Sequence, residues 1–134
     1  MATDNQPGAA IVVAQRGDRD AKLVRSALER FGYSVMSSED GREAEQLLVS
    51  GKPDLDLAVI DPGTPGLDFR SLLKKMADTG SGVHVLCLCG DGAEEPLRAP
   101  EFSGRVGILK RPFRRSHLLA SILDATEKPL ARTA

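Results

Sequence analysis

The chain has 134 residues, 41% apolar and 28% charged, with a formal net charge of −1, which suits one soluble domain with one core. A near-neutral balance argues against nucleic-acid binding by bulk electrostatics, and four Phe, one Tyr and no Trp leave little for a base-stacking surface. No apolar run approaches bilayer-crossing length and Met1–Gly8 shows no signal-peptide pattern, so the expectation is a cytoplasmic protein without a membrane partner.

Residues 1–9 read as a disordered lead-in. Ala10 to Ala14 is a continuous apolar run, the mark of a strand buried on both faces. Asp18 or Asp20 can cap the following helix, whose apolar stripe is Leu23, Val24, Ala27, Leu28 and Phe31, and Gly32 ends it. Tyr33–Ser37 is a second strand, nearer an edge because it is less apolar. Asp40 can cap a helix carrying Ala44, Leu47 and Leu48, with Gly51 past its end. The third strand, 55–60, ends at Asp61, and Pro62-Gly63-Thr64-Pro65-Gly66 forbids both helix and strand beyond it.

Asp68 then caps a helix bearing Phe69, Leu72, Leu73 and Met76, and the fourth strand runs from Val83 to Leu88. Gly90 to Gly104 has little periodicity and holds one short helix near 93–98 or none. Arg105 to Leu109 is the fifth strand. Phe113 to Ala125 is a helix with Leu118, Leu119, Ile122 and Leu123 as its stripe, and 127–134 is a tail or interdomain linker.

Five strands alternating with helices predict an α/β domain over 10–126, a doubly wound parallel sheet of order 2-1-3-4-5 with flavodoxin-like topology. Ligand chemistry in such sheets lies outside the carboxyl ends of the strands, at the switch point. That places Asp61 beside Ala14-Gln15-Arg16. Cys87 and Cys89 point to one face of their strand, where disulfide geometry is rarely reached, and two thiols fall short of a zinc site. Buried reduced thiols are expected. His84 and His117 lie in no metal or catalytic constellation, and no nucleophile has a base beside it, so an enzyme is not expected.

The pattern over 10–126 resembles the receiver domain of bacterial two-component response regulators, the CheY-like family. Asp61-Pro62-Gly63-Thr64-Pro65-Gly66-Leu67-Asp68 resembles its acceptor-aspartate loop, and Lys110-Arg111-Pro112-Phe113 its Lys-Pro-Phe after strand five. The resemblance implies that Asp61 is the phospho-acceptor position, taking a phosphoryl group from a phospho-histidine with Mg²⁺ offsetting charge. The acidic pair that the family places at the end of strand one falls on Ala14 and Gln15, with Arg16 adding a positive charge. Asp18, in the helix-capping position, is the weak remaining candidate for the metal. The hydroxyl of strand four falls on Cys87, a weak donor. The paired Lys falls on Arg111, or on Lys110 if one residue is inserted, and the aromatic switch on Ile108 or Gly107.

These departures imply a degenerate pseudo-receiver: no cofactor, poor Mg²⁺ binding, impaired aspartyl phosphorylation, and Asp61 in an ion pair with Arg111, Lys110 or Arg16. It would signal within a two-component phosphorelay or hybrid kinase, by contact with a histidine kinase or a linked output domain. The family's output face would be segment 91–103, strand five and the last helix. Two alternatives stand beside it. A conventional receiver would hold Mg²⁺ through Asp18 or Gln15 with waters. A sensor would bind a small anionic ligand such as cyclic di-GMP through Arg105, Arg111, Arg114 and Arg115, since arginines hold phosphates by bidentate contacts. Cys89-Gly90-Asp91-Gly92 reads as a flexible loop in preference to an anion nest.

Overall fold

A computed structural model describes residues 8–50, 54–90 and 106–127. The elements run β1 (Ala9–Val13), α1 (Arg19–Arg30), β2 (Ser34–Ser38), α2 (Gly41–Ser50), β3 (Leu57–Ile60), α3 (Phe69–Asp78), β4 (His84–Cys89), β5 (Val106–Lys110) and α4 (Arg115–Glu127). All strand pairs are parallel and the order is β2-β1-β3-β4-β5, as the alternation of elements predicts. The central strand β3 is buried along its whole length, which is why it is an unbroken aliphatic run. β2, at one edge, is mostly exposed or half-buried.

Apolar side chains alternate to the two faces of the sheet and build two cores. One gathers Ile11, Val13, Ala58, Ile60, Val85 and Cys87 under α2 and α3, through Ala44, Leu48, Leu72 and Met76. The other gathers Ala10, Val12, Leu57, Val59, Leu86 and Leu88 under α1 and α4, through Val24, Leu28, Leu118 and Ile122. Full burial of one such aliphatic side chain contributes about 1.5–3 kcal/mol.

Strand limits shift by about one residue from the sequence expectation, because register and not composition decides where a ladder begins. Ala9 opens β1 opposite Ser34, and its N–H also donates to Asp56 Oδ2 at 3.0 Å, so Ala9 belongs to the sheet. β4 extends to Cys89, which faces Lys110, and the last helix begins at Arg115 where Phe113 was expected. In the expected stripes Leu23 is 37% and Leu123 43% exposed, since the helices cross the sheet with only part of each stripe facing inward. The expectations for 1–7, Gly51, 91–105 and 128–134 lie outside the described residues.

The segment after β3 is held tightly. Gly41 N–H, at the start of α2, donates to Pro65 O at 2.8 Å, and a Cβ on Gly41 would come within 2.3 Å of Leu67 N. Gly66 sits at φ 80°, a conformation that favours glycine.

Candidate functional site

The carboxyl ends of β1, β3, β4 and β5 open onto one crevice, and Asp61 stands at its centre. Its backbone N–H continues the β-ladder onto Val13 O at 2.8 Å. Its carbonyl accepts from the buried Thr64 hydroxyl at 2.7 Å and from Thr64 N–H at 3.1 Å, an arrangement that folds the loop back on the strand tip. Both carboxylate oxygens are engaged. Oδ1 accepts from Gly63 N–H at 2.8 Å and Oδ2 from Arg111 Nη2 at 2.8 Å.

Arg111 follows β5 directly. Its N–H donates to Cys89 O at 2.7 Å, and its guanidinium turns inward with the side chain 23% exposed. The planar fork spans three carboxylates. Nη2 donates to Asp18 Oδ2 at 3.1 Å as well as to Asp61, and Nη1 reaches Asp18 Oδ1 at 3.5 Å and pairs with Asp20 Oδ2. Asp18 is also the N-cap of α1, its Oδ1 accepting from Asp20 N–H at 2.9 Å and Ala21 N–H at 3.1 Å.

Burial by itself would raise the Asp18 pKa. The hydrogen bond and charge of Arg111, with the two capping N–H groups, outweigh that and hold the carboxyl below its ordinary value. For Arg111 burial pulls the other way, and its hydrogen bond to Asp18 and the charges of Asp18, Asp61 and Asp20 raise its pKa.

The structure selects among the sequence expectations. Arg111, not Lys110, meets Asp61. Arg16 points elsewhere, to Glu39 at 3.5 Å, with a side chain 87% exposed. Ala14 is buried and Gln15 exposed. Cys87, expected at the tip of strand four, lies two residues inside it. Cys89 is the terminal residue, and the two buried free thiols have their sulfurs 2.8 Å apart. Burial, the Cys89 thiol and the charge of Asp61 push the Cys87 thiol up, so it stays neutral.

One expectation is corrected outright. Asp61 is not a lone carboxylate beside alanine, glutamine and arginine, because the first turn of α1 brings Asp18 and Asp20 to it. The signal was present in the sequence: the cap of a helix following β1 must sit at the same crevice as the end of β3, its sheet neighbour. Arg111 is committed to three aspartates, Arg114 and Arg115 are exposed, and Arg105 lies outside the described residues.

A magnesium ion, which the resemblance implies, does not fit the crevice as folded. The guanidinium occupies the point where Asp18 and Asp61 converge, Ala14 and Gln15 offer no carboxylate, and no group of three His, Cys, Asp or Glu among the described residues is arranged to hold a metal.

The fold and the strand-tip aspartate define a receiver-type signalling domain with CheY-like topology. No family model matches the chain. The chain is 33% identical over 105 residues to response regulator MprA of Mycolicibacterium vanbaalenii and 31% identical over 105 residues to that of Mycobacterium avium, in each case over 75% of this chain and 45% of the relative. It thus spans less than half the length of these relatives. Among solved structures it resembles the signal receiver domain of an HD domain-containing protein from Pseudomonas fluorescens Pf-5, with TM-score 0.73, 21% identity, and 92% and 96% of the two chains covered. It also resembles the receiver domain of hybrid histidine kinase CckA, with TM-score 0.65, 21% identity, and 89% and 100% covered. The chain belongs with the response-regulator receiver domains. No helix among the described residues is long and apolar enough to cross a membrane.

Proposed function

We propose that this receiver domain signals by protein contact, with Asp61 held in an internal ion pair and its magnesium-dependent phosphorylation impaired. One observation carries the reading: the Arg111 guanidinium bonds Asp61 Oδ2 at 2.8 Å and Asp18 Oδ2 at 3.1 Å. An aspartate that takes a phosphoryl group needs a cation to offset the charge of the incoming oxygens. Here the guanidinium beside Asp61 is already shared among three carboxylates. Adding phosphoryl charge worsens that balance. The domain is then a signalling module and not an enzyme.

Its partner is a histidine kinase or a linked output domain. Kinship with response regulators longer than this chain and likeness to a receiver of a hybrid histidine kinase support this reading. A domain running from β1 to α4, with the remainder as lead-in and linker, goes with this proposal. Incubation with acetyl phosphate and Mg²⁺, read by intact mass with Asp61→Asn as control, tests it. The expected result is no phosphoryl adduct above the control, and rapid stoichiometric labelling of Asp61 overturns it.

A second reading, a conventional phospho-acceptor, has one observation in its favour. Asp18 and Asp20 bring to Asp61 the negative charge that Ala14 and Gln15 lack. It requires Arg111 to leave them, and a beryllofluoride-induced shift would support it. A cyclic dinucleotide is left only Arg114 and Arg115 among the described members of the cluster.

A further inference from the structure

α1 and α4 lie side by side over one face of the sheet and touch along part of their length. Between them is a cavity of about 290 Å³ lined by Ala27, Arg30, Phe31, Arg115 and Leu119. Its floor is apolar and its two polar walls are both arginines. Neither Arg30 nor Arg115 has an ion pair with a described residue. The placement of Arg115 sharpens the point. It opens α4, where the helix dipole is positive, and no acidic residue stands in that first turn to offset it. Two like charges and a positive helix end thus face one apolar cavity with no ion-pair partner among the described residues.

A second observation comes from exposed apolar surface. Leu23 and Leu123 are the large apolar side chains left exposed among the described residues. Helical spacing puts both in line with the cavity: Leu23 and Ala27 are four apart on α1, as are Arg115, Leu119 and Leu123 on α4. Exposed apolar side chains therefore continue from the cavity along the same face of each helix. Chain-wide charge does not explain the arginines, since the net charge is −1.

We infer that the groove between α1 and α4 docks an acidic amphipathic helix of a partner protein. The helix lays an apolar stripe over Phe31, Leu119, Leu23 and Leu123, and its flanking carboxylates meet Arg30 and Arg115. An apolar face in a groove is a recurrent mode of helix recognition, and charge complementarity at the rim sets its orientation and partner choice. The inference rests on the contact-signalling reading and names the chemistry of the contact. The groove does not include Asp61.

The test uses the full chain and a synthetic helical peptide with leucines at i, i+4 and i+7 flanked by glutamates. A second peptide carries lysine for every glutamate. Saturable binding of the acidic peptide is expected by fluorescence anisotropy, with amide shifts confined to α1 and α4. Arg30→Glu with Arg115→Glu should weaken it at least tenfold and let the lysine peptide bind instead. Leu23→Ser with Leu123→Ser, at partly exposed positions and with folding checked by circular dichroism, should weaken it at least threefold.

Equal binding of both peptides, or no saturable binding, overturns the inference. So does displacement by inorganic phosphate with the serine variants unaffected, which would mark a simple anion site. Self-association of the chain through this face, seen by sedimentation, would also overturn it. Labelling of Asp61 by acetyl phosphate would count against the contact reading and leave the peptide result standing.

Discussion

Asp18 and Asp68 do the same local job in two places. Each follows the loop at the end of a central strand and caps the next helix, Asp18 through Asp20 and Ala21 N–H and Asp68 through Ser71 N–H. The difference is what else each touches. Asp68 is exposed, while the Asp18 side chain is 10% exposed and locked onto Arg111. A cap at the start of α1 thereby becomes part of the site, and a cap at the start of α3 remains a cap. The same residue type gains a second role from the cation that the β5–α4 connection delivers to it, not from its own sequence neighbourhood.

Breaking each side of this comparison should cost different amounts. The largest effect is expected from the loop after β3. Gly41→Ala drives a Cβ to 2.3 Å from backbone Leu67 N, where no flexible side chain can give way. Overpacking of this kind costs about 1–3 kcal/mol, and the upper half of that range is expected by urea denaturation. A loss under about 0.5 kcal/mol would mean that α2 and the loop separate freely.

Next comes Arg111→Met, which keeps the apolar stem and leaves Asp18, Asp20 and Asp61 facing one another uncompensated. Removing one partner of a fully buried pair costs about 3–5 kcal/mol, and solvent at a site with side chains 10–38% exposed reduces this to about 1–2 kcal/mol. The same variant sharpens the functional reading. If Mg²⁺ then protects it against urea where it does not protect the parent chain, the guanidinium was standing in the cation's place. Equal Mg²⁺ response in both chains would count against the ion pair as the cause of impairment.

Local chemistry was legible in the sequence and long-range geometry was not. The caps Asp18, Asp40 and Asp68, the buried run of β3 and the stop after Asp61 follow from short-range rules, and the strand order follows from the alternation of elements. Whether Lys110 or Arg111 meets Asp61 does not, because one inserted residue exchanges them and only the register Cys89↔Lys110 decides. Asp20 was read only as an alternative cap, since its contact with Arg111 joins residues far apart in the chain. Leu123 sits in an apolar stripe by spacing yet is 43% exposed, because periodicity defines a face and not how much of it a neighbour covers.

The smallest effects separate the two caps. Asn caps as well as Asp, so Asp68→Asn should change stability by no more than a few tenths of a kcal/mol. Asp18→Asn keeps the cap but loses the charge facing Arg111, and about 1 kcal/mol is expected at neutral pH. Its dependence on pH has a definite sign. The Asp18 carboxyl has a folded pKa below the ordinary 3.8, so the folded state binds its proton more weakly than the unfolded chain does. The stabilisation is therefore complete above the ordinary value and is lost as pH falls through the folded one. The gap between parent and Asp18→Asn, followed by urea melts, should hold from about pH 7 to 5 and begin to narrow below about pH 4. A gap for Asp18→Asn that survives at the acid end would mean that the loss comes from the cap geometry and not from the charge held against Arg111.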